Sequence, residues 1–129
     1  MTRSKILCYL AATAIGIGGY VHLVLYWRSY HAIPRIGVLF ALDIIVAAGV
    51  AMALLVRHDT LSIVAAIAHT ASALGGFVLS RTIGLWGFKE TGLTPTPHAA
   101  IAIAAEAAAL ILLALASVQP TPARSTDEH

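Results

Sequence analysis

Four ionisable side chains stand alone in apolar surroundings: His22, Asp43, His69 and Glu106. Each falls in a different apolar run, and imidazole and carboxylate are the groups that bind cations and move protons. Asp43 follows Pro34 by nine positions, and Glu106 follows Pro97 by nine. If those prolines open helices, a rise of 1.5 Å per residue puts both carboxylates ~13 Å inside a hydrocarbon core ~30 Å thick, close to its middle. His22 then lies ~8–10 Å below the same side, and His69 is nine residues in from the other. An ionisable residue at such depth costs at least ~2.5–3.5 kcal/mol if it faces lipid, so all four should point into a helical bundle.

Two carboxylates in a dry interior cannot both hold charge without a partner. A protonated histidine can serve as counter-ion, one acid can keep a proton, or a cation can sit between them. Each arrangement implies a function. A divalent ion ligated by His22, Asp43 and Glu106, with His69 as a fourth group, suits Zn, Mn or Fe chemistry. A chain of titrating groups suits a proton relay. A network that only fixes helix register suits an accessory or structural subunit of a larger membrane complex, or a homo-oligomer. Haem held by His22 and His69 is a third alternative, disfavoured because their depths differ by ~5–9 Å. No Ser-His-Asp spacing, phosphate loop or dinucleotide fingerprint accompanies these residues, which points away from an enzyme.

The elements that must position these side chains are legible from composition. The chain has 129 residues, 59% of them hydrophobic and only 11% charged, with a formal net charge of +2. Its mean hydropathy is +0.86. A soluble domain carries roughly 25% charged residues, so lipid is the expected solvent. No basic stripe interleaved with aromatics occurs, which sets nucleic acid aside. Cys8 is the sole cysteine, which removes a disulfide framework, a Cys-x-x-Cys pair and a thiolate metal cage.

Four runs, about 6–27, 35–56, 61–80 and 97–118, each reach the ~20 residues that span a bilayer. The first is too long for a signal-peptide core of about 7–15 residues and lacks a small-x-small cleavage site, so it is expected to span. Backbone groups in lipid need internal partners, and these alanine-rich runs lack the alternation of barrel strands, so the elements are helices. Abundant Gly, Ala and Ser allow close approach between spans. The expected fold is all-α, an integral membrane four-helix bundle over 1–118 with a disordered polar tail over 119–129. Pro34 and Pro97 are expected at first helical positions, with Thr96 and Asp59 or Thr60 as N-caps.

The two hairpins could be repeats: Gly18-Gly19-Tyr20-Val21 is echoed by Gly75-Gly76-Phe77-Val78, and the proline-to-acid spacing recurs. A parallel repeat would make Asp43 and Glu106 face each other at one depth. Arg81–Gly92 reads either as an interfacial turn or as a lid over the polar site, and His31 and His98 could add ligands at its mouth. Lys and Arg are divided evenly between the two sides, so only the basic N-terminus favours cytoplasmic termini.

Residues 30–40 (YHAIPRIGVLF) and 80–90 (SRTIGLWGFKE), together with a glutamate in the last span, resemble small uncharacterised four-helix bacterial membrane proteins. The resemblance extends over most of residues 15–115. It implies the architecture only and carries no activity; a bacterial inner membrane is the expected location. Small multidrug-resistance transporters match in length but keep their key glutamate in the first span, where this chain has none. Four-helix disulfide-forming oxidases need cysteine pairs, and membrane di-iron hydroxylases need many more histidines.

Overall fold

The computed structural model describes residues 2–118, so the tail over 119–129 lies outside the described residues. Four α-helices run in sequence: α1 (Arg3–Arg28), α2 (Ile36–Val56), α3 (Thr60–Arg81) and α4 (His98–Ser117), with a 3₁₀ turn at Tyr30–Ala32 between the first two. All four are long and apolar enough to cross a membrane, and the chain is a multi-pass membrane protein built as a four-helix bundle. α1 packs on α2 and α4, and α3 closes the square against the same two helices.

The size pattern is that of a membrane interior. Buried positions are mostly small, among them Ala11, Ala47, Ala66, Ala102 and Ala109, while Ile45, Met52, Val64 and Ile111 face outward. Lipid tails are as apolar as leucine, so helices gain by close approach of small residues instead of by hiding large ones. Gly19 shows this: a Cβ there would lie 3.0 Å from the Ala47 Cβ.

Helix starts follow local chemistry, with two departures from expectation. Asp59 caps α3, its carboxylate accepting from the Ser62 N–H at 2.9 Å and the Ser62 hydroxyl at 2.6 Å. Pro34 does not open α2. Arg35 takes a left-handed φ of 66°, the Ile36 N–H reaches back to the Pro34 carbonyl at 2.7 Å, and the helix begins at Ile36. Thr96 does not cap α4 either, because its hydroxyl is turned to the Leu93 carbonyl. Pro97 occupies the cap position, and the Pro95 and Pro97 carbonyls receive the N–H groups of Ala99 and Ile101. Asp43 is thus seven residues and Glu106 eight residues into its helix, ~10 and ~12 Å deep and still level within one turn.

The core is in two parts. One apolar cluster joins Leu7, Cys8, Ala11 and Ile15 to Ala47, Leu54, Ala66, Ala109 and Leu113. The other, beneath the α1–α2 and α3–α4 connections, joins Val21, Leu25, Tyr30, Ile36 and Ala102. On α2 and α4 the acids Asp43 and Glu106 fall in sequence between the two clusters, and on α1 His22 sits beside Val21 at the inner edge of the second, so the polar layer lies where the clusters meet.

The two glycine pairs of the possible repeat pack differently. Gly18 gives way to the Glu106 side chain, which a Cβ would meet at 3.7 Å, and Gly19 abuts Ala47. A Cβ on Gly75 or Gly76 would meet nothing within 4 Å. The first pair is a helix contact and the second is not.

Candidate functional site

Each helix contributes one side chain to the polar layer: His22 from α1, Asp43 from α2, His69 from α3 and Glu106 from α4. Helical spacing sets their direction, since Ile15, Gly18, Gly19 and His22 share one face of α1 and Ala65, Ala66, His69, Ser72 and Gly76 share one face of α3. The four groups come together in a line. His22 Nδ1 lies 2.7 Å from Asp43 Oδ2, and His22 Nε2 lies 3.9 Å from Glu106 Oε1. The second Asp43 oxygen is 3.7 Å from His69 Nε2. Beyond their mutual contact, His22 Nδ1 and Asp43 Oδ2 have no hydrogen-bond partner among the described residues.

The order Glu106–His22–Asp43–His69 is a chain and not a shell. Asp43 and Glu106 do not face each other across an axis; the His22 ring stands between them. A tetrahedral metal needs its ligand atoms to converge at ~2.0–2.2 Å on one point. Among the described residues no group of three or more His, Cys, Asp or Glu side chains is so arranged. One ring nitrogen of His22 lies beside each acid. Glu106 is 7% exposed as a residue, and the His22 and Asp43 side chains retain 17% and 19%. The layer is therefore partly open rather than sealed in the core.

A cavity of about 570 Å³ is lined by all four helices, and all four polar side chains are among its lining. Leu25, Ile36, Phe40, Ala73 and Ile103 are among its apolar walls. Leu85, Phe88, Glu90 and Pro95 line it too, so the connection between α3 and α4 folds over the cavity as a lid. A tight turn makes this possible: Leu85 and Phe88 exchange both backbone hydrogen bonds at 2.8 Å, with Trp86 at φ 49° and Gly87 at φ 83°. Positive φ at both central residues is the hairpin geometry that glycine favours at the second. Trp86 is left at the exposed tip under the Arg35 guanidinium, and the flanking Leu85 and Phe88 turn inward.

A second polar group holds the lid down. The Tyr30 hydroxyl donates to one Glu90 oxygen, and Arg81 Nη2 donates to the other at 3.1 Å. Arg81 also donates to the carbonyls of Gly92 and Thr94 and to the Ser80 hydroxyl. The Glu90 N–H is bonded to the Ser80 carbonyl at 3.0 Å. Burial, reinforced by the Glu90 hydrogen bond, raises the Tyr30 phenol well above its ordinary range. The Tyr30 ring stacks on Phe40 at 4.6 Å, and Phe40 meets the edge of His22 at 5.1 Å, so lid and polar layer share a wall.

Sequence reasoning named all four members of the polar layer and missed Tyr30, Arg81 and Glu90 as a unit. The signal for them was slight: Glu90 is the one acid between Arg81 and Pro97. Neither His31 nor His98 lines the cavity. His31 is exposed, with Nδ1–H donating to the Tyr26 carbonyl at 2.7 Å. No protein-family profile, curated protein or solved structure matches this chain.

Proposed function

We propose that this membrane protein takes up protons from its cavity and relays them along Glu106, His22, Asp43 and His69. The observation that carries the reading is the linear order of alternating carboxylate and imidazole, one from each helix. Imidazole has two nitrogens and can accept a proton on one while releasing it from the other. The 2.7 Å step between His22 and Asp43 is within direct transfer distance, and steps of 3.7 and 3.9 Å close with a small side-chain rotation or one water. The cavity reaches the layer from beneath the lid, and the apolar cluster around Leu54 and Leu113 lies on the far side of it.

Proton uptake is read with an indicator dye after a pH jump on the detergent-purified full chain, and the His22 and His69 imidazoles are followed by ¹⁵N chemical shift. The wild type takes up more protons than Asp43→Asn, and both imidazole titrations move together when Asp43 is neutralised. Identical uptake and unchanged imidazole titrations in Asp43→Asn refute the relay.

A further inference from the structure

The cavity is larger than a proton path requires. At about 570 Å³ it is the size that encloses a drug-sized molecule. On α2 its lining runs from Ile36 to Val50, a slot about 21 Å long at 1.5 Å per residue, and Asp43 stands at the midpoint, seven residues from either end. The opposite wall is a stripe of small residues on α3, Ala65, Ala68, Ser72 and Gly76, which leaves the width open. Leu39 and Val46 on one side of that seam and Ala65, Ala68 and Ser72 on the other are exposed as well as lining, so the slot opens sideways between α2 and α3. In a membrane that opening faces lipid.

The centre of the slot holds two acids and two imidazoles. The groups facing its centre are His22, Asp43, His69 and Glu106, from four different helices. At the lid, Arg81 is paired to Glu90 and Tyr30. No lysine or arginine faces the two central acids among the lining residues. An anion would meet two carboxylates there. A cation would meet them with apolar surface above and below whenever His22 is neutral.

We infer that the slot binds a lipophilic cation, an amine or onium whose charge is flanked by apolar groups, entering from the bilayer between α2 and α3. This inference rests on the proton reading of the same layer. The cation and the proton compete for Asp43 and Glu106: each cation bound displaces one proton, which leaves to water, so charge balances and no other reactant is needed.

The probe is tetraphenylphosphonium, a permanent cation with no proton of its own, added to the detergent-purified full chain. Binding is measured by equilibrium dialysis and proton release by indicator dye. Affinity is expected to rise about tenfold per pH unit wherever one proton is displaced. About one proton should appear per cation bound. Asp43→Asn and Glu106→Gln should each weaken binding at least about tenfold. Ala68→Phe, which fills the slot without altering charge, should weaken it too and guards against a folding defect in the acid variants. Failure of the probe to bind overturns the inference, as does binding that ignores pH, Asp43→Asn and Glu106→Gln. If the probe fails while proton uptake without it still depends on Asp43, the cation site falls and the relay stands. If neither occurs, both fall.

Discussion

Tyr30→Phe tests the lid with little other disturbance. The substitution removes one hydroxyl and keeps the ring that stacks on Phe40 at 4.6 Å. What is lost is the hydrogen bond from Tyr30 to the Glu90 carboxylate. A hydrogen bond to a charged group contributes about 1.5–3 kcal/mol, and here the lower part of that range applies, because Glu90 keeps Arg81 on its other oxygen. A loss of about 1.5–2 kcal/mol in lid closure raises the open population by roughly 10–30-fold. Hydrogen exchange measured by mass spectrometry in detergent reads that population directly. Exchange at Leu85–Glu90 should accelerate by about that factor, while the amides of α1 and α2 stay unchanged. The Tyr30 phenol is raised in the folded state, so its contribution is complete below the ordinary phenol range near pH 10 and is lost only above it. An experiment near neutral pH therefore sees the whole effect. Unchanged exchange in the lid, or acceleration spread evenly over all four helices, refutes the latch.

Two further outcomes follow from particular contacts. Gly37→Ala places a Cβ 2.8 Å from the His31 carbonyl oxygen and 2.9 Å from that of Tyr30, both backbone atoms. It should cost about 1–3 kcal/mol of unfolding free energy in mixed detergent, whereas Gly49→Ala, which meets nothing within 4 Å, should gain about 0.5–1 kcal/mol; equal effects would refute the crowding at Gly37. Asp59 is held at about 2 by its hydrogen bonds from Ser62 and then by Arg57. Its folded value lies below its unfolded one, so the stability it contributes is present above about pH 4 and lost as pH falls towards about 2. Asp59→Asn, which can still cap α3, should flatten the acid limb of the stability profile in that window; a limb of unchanged steepness sinks the assignment.

Residue type and spacing alone determined a good deal about this protein. The four spans were legible because the bilayer sets a minimum apolar length and few sequences meet it four times by accident. The polar layer was legible for the complementary reason: a charge in lipid is costly, so His22, Asp43, His69 and Glu106 had to face inward wherever the helices met. Their shared depth needed only the helical rise, and it survived the shift of the α2 and α4 starts past Pro34 and Pro97. Likeness in sequence did not carry over to likeness in contact at the glycine pairs. Gly18-Gly19 and Gly75-Gly76 are alike in sequence, yet packing depends on what the neighbouring helix presents, and only the first pair meets one.

Tertiary structure decided the rest. That His22 stands between both acids, and that the groups form a line instead of a metal shell, depends on the rotation of each helix about its axis. Rotation is fixed by contacts such as Gly18 against Glu106 and Gly19 against Ala47, between residues distant in the chain. The lid is the clearest case. Tyr30 and Glu90 are sixty residues apart, and their bond exists because α1 and α3 end on the same side of the bundle and the turn at Trp86-Gly87 sends the chain back over the cavity. A periodicity states which side of a helix is polar, but it does not say what that side faces.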